Sequence, residues 1–268
     1  MWPIIVNLGT IKLKSLTVMA VLALLASSFT FWRKGREEHY DLSSLFDAFI
    51  GSGLLGVLLG RLAFVLFNWS VFKNDWTLLF NFNQLPGNQP LLALFASAWF
   101  LSRTAKKHKW DPFEILDFWV TAVSVGMVFI YLGFFLDGSY IGQLTNLPWG
   151  IVMPGTFEKS HPVQLYFAVF FLALFSYLSR VEYRYRTFEW YRQGKKTAQS
   201  GFLLSMFLIL ASAFYLLMTT VSLPSMLLAG RAVDAVVYTL TLVLGIILLL
   251  KRSGRLTKKN RPRRPPSL

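Results

Sequence analysis

The sequence predicts an all-α fold: a polytopic membrane protein with about seven transmembrane helices, its N-terminus outside and its C-terminus in the cytoplasm. Three observations predict it. Of 268 residues, 54% are hydrophobic and only 15% are charged, where an ordinary globular domain carries roughly 25% charged residues. There are 25 Phe and 9 Trp, more aromatic surface than a soluble core of this size buries. And the basic residues collect in every second connection between the apolar runs.

Backbone inside lipid must satisfy its own hydrogen bonds, so each long apolar run reads as a helix. Seven runs qualify: 13–32, 45–69, 85–101, 113–136, 161–178, 201–221 and 232–250. The first also resembles a signal peptide, with Lys12 and Lys14 ahead of it and Ala26-Ser27-Ser28 as a cleavage site. It continues through Phe29, Phe31 and Trp32, longer than a signal core needs, which favours a retained span. The third run is the least regular. Pro86, Gly87 and Pro90 precede its clean apolar stretch, so irregular backbone is expected there, buried in protein or lining a cavity. The fifth run opens at His161, and Pro162 suits a first helical turn.

The charges set the expected orientation. Arg33, Lys34 and Arg36 follow the first run; Arg103, Lys106, Lys107 and Lys109 follow the third. Six basic residues between 180 and 196 follow the fifth, and eight lie from Lys251 to Arg264. The opposite side holds only Lys12, Lys14, Lys73, Lys159 and Arg231. Positive loops stay inside, so the N-terminus is expected outside. Residues 1–250 then form the spanning domain and 251–268 a basic, disordered cytoplasmic tail. The net charge of +14 is accounted for by topology and attraction to anionic lipid. No nucleic-acid motif accompanies it, and no nucleic-acid partner is expected. There is no cysteine, which excludes disulfides and a protein thiolate. Three histidines, two of them in predicted cytoplasmic loops, make a metal site unexpected, and no cofactor motif is present.

Ionisable residues inside spans are costly and are candidates for function. Asp47, Asp117 and Asp234 lie near span ends, where amides, water or the helix dipole can serve them, so a structural role is expected. Arg61 lies within the outer half of the second span and needs an anion, such as a lipid phosphate. The other reading is that it snorkels to the interface or pairs with Asp137. His161 can act as acid, base or donor, or simply organise the helix start. Gln164 and Tyr166 lie three and five residues beyond it, so the three are not expected to share one helix face. Gly138 and Gly142 form a G-x-x-x-G pair that permits close approach.

Four features resemble the prolipoprotein diacylglyceryl transferase family. They are LLGVLLGRLAFVLFNW at 54–69, LGFFLDGSYIG at 132–142, LPWGIVMPG at 147–155 followed by His-Pro-Val-Gln-Leu-Tyr at 161–166, and the seven-span order. The resemblance covers roughly 10–250. It implies transfer of diacylglyceryl from phosphatidylglycerol, or another anionic phospholipid, to the lipobox cysteine of a prolipoprotein signal peptide, at the bacterial plasma (inner) membrane. The implied site uses His161 and Asp137 for catalysis and Arg61 for the lipid phosphate. Its framework is Gly133, Gly138, Gly142, Pro162, Gln164 and Tyr166; no cofactor or metal is implied.

The chain departs from the family pattern at several polar positions. Tyr131 stands where the family has arginine, Phe134 and Asp137 where it has asparagine, and Ser139 where it has glutamate. Pro86-Gly87-Asn88-Gln89 replaces a His-Gly-Gly motif. Tyr215 and Thr219 occupy the sixth-span positions of an arginine and a glutamate, and Ser15-Leu16 lies where the first span carries a Trp-Tyr pair. Two alternatives therefore accompany the enzyme reading. One is a non-catalytic member that binds anionic phospholipid or a lipoprotein signal peptide. The other is an unrelated seven-span transporter or assembly factor.

Overall fold

Seven helices of 17 to 26 residues build the bundle among the described residues. They are α1 (Ser15–Glu37), α2 (Leu42–Phe67), α3 (Pro90–Lys107), α4 (Pro112–Asp137), α5 (Val163–Arg186), α6 (Phe202–Met218) and α7 (Asp234–Arg252). The structure is a computed structural model and describes residues 2–8, 11–73, 77, 87, 89–186, 200–224, 227–228 and 231–252. Each expected span contains one helix. Five helices are long and apolar enough to cross a membrane, and α6 is a shorter apolar helix. The expected tail beyond Arg252, most of the 73–89 connection and residues 187–199 lie outside the described residues.

Local chemistry fixes the helix ends. Asp41 caps α2 by accepting from Ser44 N at 3.2 Å, and Asp111 caps α4 by accepting from Phe113 N at 3.0 Å. Pro112 follows as the first helical residue of α4, a position that needs no amide donor. Gly138 ends α4 with φ 77°, a left-handed cap that a side chain disfavours. Helix α3 begins at Pro90, a first-turn position that needs no amide donor. Gln89, just ahead of it, is held to α2, its amide donating to Gly60 O at 3.0 Å.

Helix α4 is the centre of the bundle and packs on α1, α3, α5 and α6. Its contact with α1 is the most extensive between any two elements. There the backbones meet closely: a Cβ on Gly126 would lie 2.3 Å from Ser27 Oγ, and one on Gly133 2.9 Å from Met19 Cβ. Small residues let helices approach in lipid, where packing replaces the hydrophobic drive. Helices α2 and α3 pair around Gly56 in the same way. At the basic end of the bundle, Lys34 of α1 forms a buried ion pair with Glu182 of α5.

The other end carries short strands that the periodicity does not reveal. The N-terminal hairpin pairs β1 (Ile4–Leu8) with β2 (Ile11–Lys14). The connection from α4 to α5 holds β3 (Ile151–Val152) and β4 (Lys159–Ser160), and that before α7 holds β5 (Leu227–Leu228) and β6 (Arg231–Ala232). A bridge from Leu144 to Ser160 closes the α4–α5 connection on itself, and one from Gly142 to Ser222 joins it to the end of α6.

Candidate functional site

His161 sits between β4 and α5, outside the helix. Its amide donates to Gln143 O at 2.9 Å, which fixes the backbone to the neighbouring bridge. Gly142 lies directly against it, since a Cβ there would stand 2.6 Å from His161 O and 3.0 Å from His161 Cβ. Pro162 turns the chain. Its carbonyl accepts from Leu165 N at 3.0 Å and from Tyr166 N at 3.3 Å, starting α5. Because His161 precedes the helix, the expectation from helical spacing does not apply. Tyr166 reaches back to it, with His161 Nδ1 and the Tyr166 hydroxyl 3.5 Å apart and ring centroids 6.2 Å apart. Trp149 Nε1–H donates to the same hydroxyl at 2.9 Å.

Gln164 is wholly buried, and its amide donates to Ser139 O at 2.7 Å. It thereby ties the first turn of α5 to the segment just past α4. Gly138 serves as the cap of α4, and Gly133 as its contact with α1. Asp137 is the last residue of α4, and its carboxylate forms no hydrogen bond or ion pair among the described residues. Pairing of Asp137 with Arg61 is therefore not the arrangement found.

Arg61 is buried, at 5% exposure. Its Nη1 donates to Gly87 O at 2.8 Å, and the guanidinium lies 5.5 Å from the rings of Phe64 and of Phe72. That cage belongs to α2 and the lead-in to α3. The described contacts bring His161, Gly142, Gln164 and Tyr166 together, and those of Arg61 run to Gly87, Phe64 and Phe72.

A second cluster lies deeper. The hydroxyls of Tyr131 on α4 and Tyr215 on α6 share a hydrogen bond of 2.7 Å. Tyr131 stacks on Phe167 at 4.5 Å and 9°, and Tyr215 stacks on Tyr238 of α7 at 5.0 Å. Tyr140, in the connection after α4, packs on Tyr131 and Phe134. Burial pushes the Tyr140 phenol above its ordinary value, with Tyr238 and Asp234 adding to the shift. Beside this cluster is an apolar cavity of about 220 Å³ between α3, α4, α6 and α7, lined by Leu91, Phe95, Trp119, Phe207, Tyr215 and Tyr238 among others. Among the described residues no three His, Cys, Asp or Glu side chains gather as a metal site.

Trp149 and Tyr238 escaped the sequence reading. A Trp beside Pro148 in a span connection was the available signal for the first; a tyrosine within an apolar run gave none for the second. Asp117 has the expected structural role. Its carboxylate accepts from Gly201 N and Leu204 N, each at 2.7 Å, at the start of α6.

Comparison with known proteins identifies relatives of the chain. The prolipoprotein diacylglyceryl transferase family model matches residues 3–252. A phosphatidylglycerol–prolipoprotein diacylglyceryl transferase of Aliarcobacter butzleri is 31% identical over 225 residues, covering 79% of this chain and 80% of the relative. One from Clostridium perfringens is 25% identical over 209 residues, covering 75% and 76%. One from Pseudoalteromonas atlantica is 31% identical over 188 residues, covering 65% of each. These matches set aside the reading of an unrelated seven-span protein: the chain belongs to the prolipoprotein diacylglyceryl transferase family.

Proposed function

We propose that the protein transfers a diacylglyceryl group from phosphatidylglycerol to the lipobox cysteine of a prolipoprotein, at the outer face of a bacterial plasma membrane. The match over residues 3–252 is the observation that carries this reading. The charge distribution supports the orientation, since Lys34, Arg36, Lys106, Lys107, Lys251 and Arg252 lie at the helix ends opposite to His161. In the reaction the substrate's sulfur bonds to the terminal glyceryl carbon. The bond from that carbon to the phosphate oxygen breaks, and glycerol phosphate leaves with the electron pair. The thiol proton must go to a base, because the thiolate is the nucleophile.

His161 is assigned as that base, with Tyr166 and Trp149 orienting its ring. Asp137, the last residue of α4, is assigned as the second catalytic group. Arg61 is assigned to the phosphate, because a guanidinium matches its geometry and stays charged when buried. The apolar cavity suits an acyl chain, and Tyr215 and Tyr238 form part of its wall. Gly133, Gly138, Gly142, Pro162 and Gln164 form the frame.

A specific observation favours a second reading. The Tyr131–Tyr215 pair is neutral, and neutral phenols stabilise a leaving phosphate less than cations do. This suits a member that binds anionic phospholipid or a signal peptide without turnover. One assay separates the two. Purified protein in phosphatidylglycerol vesicles is given a lipobox peptide, and the diacylglyceryl mass increment is followed. The enzyme reading expects modification that falls about a hundredfold or more in Arg61→Ala and in His161→Ala. Retained binding of lipid and peptide with no mass increment in the unaltered protein overturns it in favour of the second.

A further inference from the structure

The hairpin formed by β3 and β4 leaves large apolar side chains uncovered beside the bundle. Phe157 at its tip is fully exposed, and Trp149 and Val152 are more than half exposed. The tip is nonetheless ordered from within. Thr156 N donates to Met153 O at 3.0 Å, and Met153 N donates to Thr156 Oγ1 at 3.1 Å. Met153 itself is buried, so the hairpin turns one apolar residue inward and holds Phe157 out. A packed tip with an outward aromatic needs a covering surface that is present when the protein works.

The height of the hairpin identifies that surface. Only His161 and Pro162 separate β4 from α5. The 2.9 Å bond from Trp149 to Tyr166 holds the indole level with the first turn of α5, a helix long and apolar enough to cross a membrane. Trp and Tyr side chains concentrate at that level in membrane proteins. The headgroup layer beyond the hydrocarbon is roughly 5–7 Å thick on each side, comparable to the length of a two-residue strand at about 3.3 Å per residue. Exposed Glu158 and Lys159 follow Phe157 directly and cancel in charge.

We propose that the β3–β4 hairpin is an interfacial anchor, with Phe157, Trp149 and Val152 seated in the headgroup–acyl boundary of the bilayer at this end of the bundle. The contact is apolar and aromatic, so it requires no anionic lipid. It secures His161, which the hairpin's last strand leads into, at the depth of the lipid headgroups. The inference goes beyond the transferase reading and stands whether or not the protein turns over.

The chain has no cysteine, so single labels can be placed directly. Phe157→Cys and Val152→Cys in the full chain, each carrying a nitroxide, are reconstituted in phosphatidylcholine vesicles. Collision with oxygen, which concentrates in lipid, is compared with collision with a water-soluble nickel chelate. At both positions oxygen collisions are expected to dominate several-fold, the reverse of the free label in buffer, and equally at low and high salt. Dominant nickel collisions would overturn the proposal. So would an oxygen preference that vanishes at high salt, or one that develops only on addition of a lipobox peptide, which would make the surface a peptide site. Transferase activity plays no part in this readout, so its loss and the loss of anchoring are told apart.

Discussion

Gly142 has no room for a side chain. Its neighbour is a carbonyl, His161 O, which cannot swing aside without breaking the bridge that carries it. Gly142→Ala is therefore expected to shift His161 away from Tyr166. Overpacking of this kind costs about 1–3 kcal/mol. Lipidation is expected to fall more than lipid binding does, read by mass increment and by vesicle binding on the same preparation. The sequence displayed this residue as half of a G-x-x-x-G pair without showing its partner. The pairing depends on strands two residues long, too short for any periodicity to register. His161, Gln164 and Tyr166 were legible as a motif because polar groups are costly at a span boundary. The convergence of His161 with Tyr166 was not, because it depends on α5 starting two residues later than the apolar run does.

The elements are joined by polar contacts at their ends as much as by apolar faces. Helix α6 begins after a left-handed glycine, Gly201, and its first amides point at Asp117 of α4. The carboxylate thus caps a neighbouring helix and also meets the positive end of its dipole. Charged hydrogen bonds of this sort contribute about 1.5–3 kcal/mol each. Asp117→Ala is expected to lower the thermal midpoint in detergent by several degrees, with Asp117→Asn falling between it and the unaltered protein. The apolar runs predicted each of the seven long helices because lipid leaves a backbone no other choice, though not the single turn at Trp69–Phe72. They placed Asp117 correctly near a span end. They could not say which helix it served, since a cap across the bundle has no sequence spacing to betray it.

Across the whole molecule, the two ends differ in chemistry. At the basic end the α1–α2 connection is held to α4 by Tyr40, whose hydroxyl donates to Glu114 Oε2 at 2.5 Å and whose ring meets Trp110 and Phe118 edge-on. Burial, then the bond to Glu114, raises the Tyr40 phenol above its ordinary value. The folded state thus favours the neutral form. That stabilisation is complete below the unfolded value of about 10 and is lost as pH rises beyond it. Thermal midpoints are expected to decline above about pH 10, and Tyr40→Phe, lacking this group, should decline less steeply over the same interval. The charge pattern made this end legible as a face from the sequence, whereas the Tyr40 contact spans 74 positions and left no local trace. The deeper phenol pair makes two positions on different helices interdependent. Tyr131 and Tyr215 satisfy one another, and their surroundings are aromatic. Arginine at one of the two positions alone would bury a cation beside a phenol, and an uncompensated buried charge is strongly destabilising. Such an arginine is tolerated only with a second replacement that supplies a carboxylate beside it, so the two tyrosines behave as one coupled site.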